Sequence, residues 1–193
     1  CSSETTARYK AKIAGSGELF VDLTAGFGVD AAFISRNFSQ AVTIEQQSYL
    51  CDISSSNYQL LGYNDIEVVC GDGIDYLHSM KSADLVFIDP ARRDEHGSRT
   101  YGIADCTPNI LPLLDELLQK AERVMIKLSP MLDWRKAVED IGKVNEVHIV
   151  SVDNECKELL LILSRQHSPL RLYCVNNESV FECEANDSSS MTP

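Results

Sequence analysis

Four carboxylates in this 193-residue chain stand where side chains do chemistry. Asp22 closes the apolar run Leu19-Phe20-Val21, and Glu45 follows Ala41-Val42-Thr43-Ile44. Asp72 lies between Gly71 and Gly73, just after Glu67-Val68-Val69-Cys70, and Asp89 ends Asp84-Leu85-Val86-Phe87-Ile88. In open α/β sheets, ligands bind outside the carboxyl ends of the strands, near the point where strand order reverses. One acid there is usually a solvated strand end; four in succession would line one edge. Between Asp22 and the helix-like run Ala31-Ala32-Phe33-Ile34 comes Leu23-Thr24-Ala25-Gly26-Phe27-Gly28. Strand, glycine turn and helix bring main chain close to a nucleotide or nucleoside, because glycine lacks a Cβ and tolerates positive φ.

The elements that must position these groups follow from the apolar pattern. Helices are expected over 4–14, 28–37, 47–61, 73–80, 109–121 and 133–142. Val124-Met125-Ile126-Lys127-Leu128 reads as a fifth strand. Glu146 to Val152 and Leu159 to Leu163 read as an antiparallel hairpin around a short polar turn. The fold class is therefore α/β, with a mostly parallel seven-stranded sheet, helices on both faces and a C-terminal antiparallel hairpin. Residues 1–165 read as one domain. Residues 166–184, with Leu170 to Val175 and Ser179 to Glu184 pairing around Asn176-Asn177, read as a hairpin stub of an appended domain. The tail 185–193 is polar and expected to be disordered. Cys1 stands where an initiator methionine would, which suggests a processed chain or a fragment.

Over residues 8 to 165 the order of these residues resembles the class I S-adenosylmethionine-dependent methyltransferases, whose Rossmann-like fold it implies. Asp22 to Gly28, with Thr24, Gly26 and Gly28, is similar to the family's glycine-rich motif. Glu45 matches its ribose-holding acid, and Asp72, flanked by Gly71 and Gly73, the acid near the adenine amino group. Asp89-Pro90-Ala91-Arg92 resembles the motif after strand four, which faces the acceptor; Asp89 also borders the cofactor, while Pro90, Arg92 and Arg93 are the implied substrate contacts. More narrowly, Cys1-Ser2-Ser3-Glu4, Ala7-Arg8-Tyr9-Lys10-Ala11 and Glu155-Cys156-Lys157-Glu158-Leu159 resemble bacterial methyltransferases with a THUMP-like domain.

The residues also speak for the cofactor directly. Glu45 lies 19 positions after Gly26, where an acid reaches ribose hydroxyls in a βαβ unit. Gly26-x-Gly28-x-x-Ala31 equally satisfies the NAD fingerprint, so the glycines do not choose. Asp22 favours the methyl donor, because it would repel a pyrophosphate but pair with a cationic amino-acid tail. The short chain and its closing hairpin point the same way.

For the acceptor chemistry, Asp89-Pro90-Ala91-Arg92 lacks the aromatic on which amino-group methyltransferases stack a base. Cys106, in Asp105-Cys106-Thr107-Pro108, lacks the context of a uracil nucleophile and reads as structural. Ribose 2′-O-methyltransferases use a Lys-Asp-Lys-Glu tetrad, and Lys10, Asp89, Lys127 and Glu158 are similar in order and strand placement. A lysine with a lowered pKa among carboxylates could deprotonate a hydroxyl. The competing reading is an ordinary, partly buried ion pair between Lys127 and Glu158.

Composition bounds the partners. Hydrophobic residues make up 44% of the chain, enough for one good core. No apolar run is long enough for a membrane span. The seven cysteines show no metal-ligand spacing and are expected to be buried reduced thiols, which favours a cytoplasmic protein without a metal. The net charge of −12 argues against an overall basic face for nucleic acid. Yet Arg92, Arg93 and Arg99 cluster after Asp89, and Arg8, Lys10 and Lys12 before the first strand. RNA is the acceptor that the family resemblance implies. A small-molecule methyltransferase and a non-catalytic module binding S-adenosylmethionine are the alternatives.

Overall fold

The computed structural model describes residues 2–92, 102–166 and 168–184. In chain order its elements are α1 (Glu4–Ile13), β1 (Gly17–Asp22), α2 (Val29–Ile34), β2 (Phe38–Glu45), α3 (Ser48–Leu60), β3 (Ile66–Cys70), α4 (Gly73–Ser79) and β4 (Ala83–Ile88). Then come β5 (Ala91–Arg92), β6 (Cys106–Thr107), α5 (Leu114–Lys120), β7 (Ala121–Leu128), α6 (Trp134–Ile141), β8 (Glu146–Val152), β9 (Glu155–Ser164), β10 (Arg171–Asn176) and β11 (Ser179–Glu184).

Nine of the strands form one sheet in the order β11-β10-β8-β9-β7-β4-β1-β2-β3. β3, β2, β1, β4 and β7 pair in parallel, and β9 enters antiparallel between β7 and β8. The strand order reverses between β1 and β4, so their carboxyl ends open a crevice at the switch point. Alternation along the strands divides the core between two faces. Val21, Val86, Ile88, Val124 and Ile126 pack with Leu77, Leu117 and Ala137 of α4, α5 and α6. Phe20, Leu85, Phe87 and Met125 pack with Ala31, Ala32 and Ile34 of α2 and Tyr58 of α3. Fully burying one such Leu, Ile or Phe side chain contributes roughly 1.5–3 kcal/mol.

Two close approaches fix the edge that carries the four acids. Gly28 begins α2 at φ +74°, and a Cβ there would fall 1.9 Å from the Tyr58 hydroxyl, which donates to the Gly28 carbonyl at 3.0 Å. Gly73 opens α4 hard against β1's exit: its added Cβ would meet the Leu23 carbonyl oxygen at 2.1 Å. α1 starts under a side-chain cap, with Ser3 Oγ accepting from the Thr6 amide at 3.2 Å.

The seven-stranded core and the hairpin match the expected fold, and the sheet continues for two further strands. β10 pairs in parallel with β8, and β11 pairs antiparallel with β10. The segment 171–184 thus extends the same sheet. β5 and β6 form a small separate ladder after Asp89-Pro90, which the sequence did not show because each is two residues long. The helix expected from 109 starts as an α-helix only at Leu114, after a 3-10 turn at Leu111–Leu113. The expectation of buried thiols is corrected. All six described cysteines are free, but only Cys51 and Cys106 are buried. Cys156, Cys174 and Cys183 sit on the C-terminal strands and Cys70 at the end of β3; Cys183 is half-buried and the other three are exposed. No described helix is long and apolar enough to cross a membrane. Residues 185–193 lie outside the described residues.

Candidate functional site

A cavity of about 340 Å³ opens at the switch point, lined by Leu23, Thr24, Ile44, Glu45, Gln46, Asp72, Gly73, Ile74, Asp89, Ala91, Thr107 and Pro108. These residues sit at or just past the carboxyl ends of β1, β2 and β4, between β3 and the first turn of α4, or on and just after the β5–β6 ladder. Glu45 ties the glycine turn to the end of β2: its Oε2 accepts from the Gly26 amide and its Oε1 from the Gln47 amide, both at 2.8 Å. Gly26 has φ +55°, and a Cβ added there would meet only open space. Asp72 caps α4, accepting from Ile74 at 2.7 Å and Asp75 at 3.2 Å, while its other oxygen accepts from the Gln46 amide group. Each carboxylate oxygen has two lone pairs, so both acids keep acceptor capacity toward the cavity. Thr24 Oγ1 accepts from the Asp89 amide at 2.7 Å and so joins the ends of β1 and β4.

Behind Asp89 runs an interior chain of charge. Asp89 Oδ2 lies 2.5 Å from Lys127 Nζ, and Lys127 Nζ lies 3.3 Å from Asp30 Oδ2. Lys10 Nζ is 3.1 Å from Asp30 Oδ1, a contact of charge alone because that oxygen makes no directed hydrogen bond. Lys10 also pairs with Glu158. Ser2 Oγ sits at the centre. It lies 2.8 Å from Asp30 Oδ2 and 2.9 Å from Glu158 Oε1, and it accepts from Lys10 at 3.1 Å and Lys127 at 3.3 Å. Lys10 is wholly buried, and Lys127, Asp30 and Glu158 are nearly so; Asp89 alone opens onto the cavity.

Electrostatics follow from that burial. Asp22 is 1% exposed; burial first, then the nearby Asp30 and Asp89, push its carboxyl up to about 8 against the Thr24 amide and Lys127, which favour the anion. Burial thus disfavours the Asp22 anion, which corrects the expectation that it pairs with a cationic amino-acid tail in the cavity. Asp89 is raised as well, mainly by burial, with Lys127 opposing. Burial works against the charge on Lys127, but Asp89, Asp30 and Glu158 outweigh it and hold its pKa above the ordinary lysine value. The expectation of a lysine with a lowered pKa is thus corrected: the surrounding carboxylates fix Lys127 as a cation.

The structure brings together Thr24, Glu45, Asp72, Gly73 and Asp89 in one cavity, and Lys10, Asp89, Lys127 and Glu158 in one network. Asp22, Gly26, Gly28 and Gly71 lie beside the cavity without lining it, and Pro90 is buried. Arg93, Arg99 and the Arg92 side chain lie outside the described residues. Cys106 is buried, its thiol 3.9 Å from the Gly102 carbonyl. Sequence reasoning missed Asp30, Ser2, Gln46 and Tyr58. Asp30 had a signal: an acid beside Ala31-Ala32, on a helix that must pack close to the sheet. The Cys51 thiol, pushed up to about 11 by burial and by neighbouring Cys70, donates to the Glu45 carbonyl at 3.2 Å. Among the described residues no group of His, Cys, Asp or Glu could hold a metal ion.

No family model matches the chain. It is similar to an uncharacterised S-adenosylmethionine-dependent methyltransferase of Mycobacterium tuberculosis (strain H37Rv), with 28% identity over 155 residues, covering 80% of this chain and 41% of the relative. A crystal structure described as a methyltransferase from Porphyromonas gingivalis W83 superposes with a TM-score of 0.89 and 30% identity, over 100% of this chain and 50% of that one. An rRNA methylase from Streptococcus thermophilus superposes at TM-score 0.58 with 16% identity, over 85% of this chain and 95% of that one. The chain thus spans about half the length or less of its nearer relatives. Strand order, closing hairpin and these likenesses give the chain the Rossmann-like fold of the class I methyltransferases, with its sheet extended by β10 and β11.

Proposed function

We propose that this chain is a methyltransferase domain that takes S-adenosylmethionine in the switch-point cavity and transfers its methyl group to an oxygen or nitrogen of RNA. The observation that carries the reading is the convergence of Thr24, Glu45, Asp72, Gly73 and Asp89 on one cavity of about 340 Å³. The donor set suits the group. Leu23, Ile44, Ile74 and Pro108 offer apolar walls for a purine. Glu45 and Asp72 offer acceptors for ribose hydroxyls and an exocyclic amine, and Gly26 leaves room for a close approach to main chain.

The cofactor supplies a methyl group already activated on a sulfonium. The protein then has to place the acceptor and receive its proton. Asp89 is the group placed to do so: it faces the cavity, and burial raises its basicity above that of an ordinary carboxylate. With the cofactor held by Glu45, Asp72 and the glycine turn, Asp89 would stand to receive the proton that the acceptor gives up on taking the methyl group. Lys127, held as a cation, orients Asp89 and keeps enough of it ionised to accept. This replaces the lysine base expected from the tetrad.

RNA as acceptor draws on the likeness to ribose methyltransferases, and on that of Cys1-Ser2-Ser3-Glu4 and Glu155–Leu159 to bacterial methyltransferases with a THUMP-like domain. A cytoplasmic location accords with it. The test is transfer of labelled methyl to total RNA and to phosphate-free acceptors across a salt series. Activity on RNA that falls steeply with salt supports the reading. Transfer only to a phosphate-free acceptor, with a flat salt response, replaces RNA with a small molecule.

A further inference from the structure

The chain has 29 Asp and Glu against 17 Lys and Arg, and most of the described cations have a carboxylate beside them. Among the described residues only Lys12, Arg36, Lys81 and Arg135 make no ion pair. Two of these four sit together. Lys12 and Arg36 line a concavity of about 270 Å³ between α1 and α2, with Arg8, Ala11, Phe33 and Asn37. The Phe33 ring carries two guanidinium groups, Arg8 at 5.2 Å and Arg36 at 5.3 Å from its centroid. Arg36 also lies 5.2 Å from the Tyr63 centroid and donates to the Tyr63 hydroxyl. The sequence cluster Arg8, Lys10 and Lys12 divides here: Lys10 turns into the core, and the other two face out.

Arg8 and Lys12 also line a second concavity, of about 690 Å³, on the other side of α1, with Thr5, Tyr9, Asn177, Glu178 and Val180. The two hollows share Arg8 and Lys12, so these two side chains border both halves of a groove along α1. Glu178 lines the second hollow, and Glu4 beside it pairs with Arg8 at 2.7 Å. Both helices start at the site edge and run away from it, so Lys12 and Arg36 lie near their far ends, just before β1 and β2 begin.

We infer that this groove binds the phosphate backbone of single-stranded RNA along α1 and α2, with Lys12 and Arg36 anchoring it at the edge of the sheet away from Asp89. Phosphate neutralisation supplies most of the affinity of such tracks, and arginines braced on aromatic rings add stacking that tolerates any base. Unpaired Lys12 and Arg36 are the groups free to meet phosphates, and Phe33 and Tyr63 hold Arg36 in place for them. The inference rests on the proposed RNA acceptor and adds the surface that would hold it.

The test uses the full chain, a fluorescein-labelled oligouridylate and a labelled polyglutamate, read by anisotropy across a salt series. The variant Lys12→Glu/Arg36→Glu is compared with Lys81→Glu/Lys143→Glu, which changes net charge equally on other surfaces. The groove variant is expected to lose about tenfold or more in affinity for oligouridylate, with a smaller salt slope by roughly 0.7 per lost phosphate contact, while the control stays near wild type. Unchanged melting temperatures exclude misfolding. Equal losses in both variants, or none in either, overturn the groove but leave RNA as acceptor standing if wild type binds. Tighter binding of polyglutamate assigns the groove to an acidic protein and overturns it for RNA. Failure of wild type to bind oligouridylate overturns the groove, and methyl transfer to total RNA then decides separately whether the acceptor reading survives.

Discussion

Lys127 and Asp89 meet at 2.5 Å, and that contact joins an open cavity to a buried charge network. Asp89 presents its carboxylate to the cavity, while Lys127 continues inward to Asp30, Ser2, Lys10 and Glu158. In this network three carboxyl groups, those of Asp30, Asp89 and Glu158, face two lysines, Lys10 and Lys127. Removing either lysine leaves buried carboxylates without a counter-charge.

Lys127→Met is accordingly expected to destabilise the fold by about 3–5 kcal/mol, the scale for breaking a buried pair from one side. Asp30→Asn in the same chain should recover part of that loss, because it removes one of the stranded anions. A double-mutant cycle by urea denaturation checks this; strict additivity of the two changes would show that Asp30 and Lys127 do not interact.

Asp22 sets a pH dependence whose sign is fixed. Its folded-state pKa of about 8 lies above the ordinary carboxylate value, so between the two the folded state binds the extra proton. Stability therefore falls as pH rises through that window and levels off above about 8. Asp22→Asn should flatten the decline in melting temperature between neutral and mildly alkaline pH. A variant whose decline matches wild type would mean that Asp22 is ionised in the folded protein.

The glycines separate by what surrounds them. Gly73→Ala puts a Cβ 2.1 Å from the Leu23 carbonyl and should cost several kcal/mol or block folding. Gly26→Ala meets open space and carries only its left-handed backbone, about 1–2 kcal/mol. It should fold, and still weaken binding of S-adenosylhomocysteine if the ligand approaches that main chain. Thermal melts and calorimetry on the two variants distinguish packing from ligand access.

Much of this was legible in the sequence, for a physical reason. Apolar runs ending in acids, with a glycine turn after the first, encode parallel strands and their carboxyl edge, so Glu45, Asp72 and Asp89 were found together. Lys127 and Glu158 were visible as polar positions in apolar strands, at the same parity as buried Met125 and Leu160. What bridges them was not. Asp30 and Ser2 reach the network only because α1 and α2 lie side by side over β7 and β9, a packing that no local pattern states. Likewise the lowered lysine pKa failed because it weighed burial without counting Asp30, whose charge helps reverse the sign.

Calorimetric titration of wild type and Glu45→Gln with S-adenosylhomocysteine and with NAD tests the central claim most directly. Glu45 holds the glycine turn through Gly26 and lines the cavity, so its carboxylate is the group the cofactor reading depends on most. The account predicts micromolar binding of S-adenosylhomocysteine to wild type, a loss of at least about tenfold in the folded variant, and no heat with NAD. Binding of NAD, or S-adenosylhomocysteine affinity unchanged by Glu45→Gln, would contradict it.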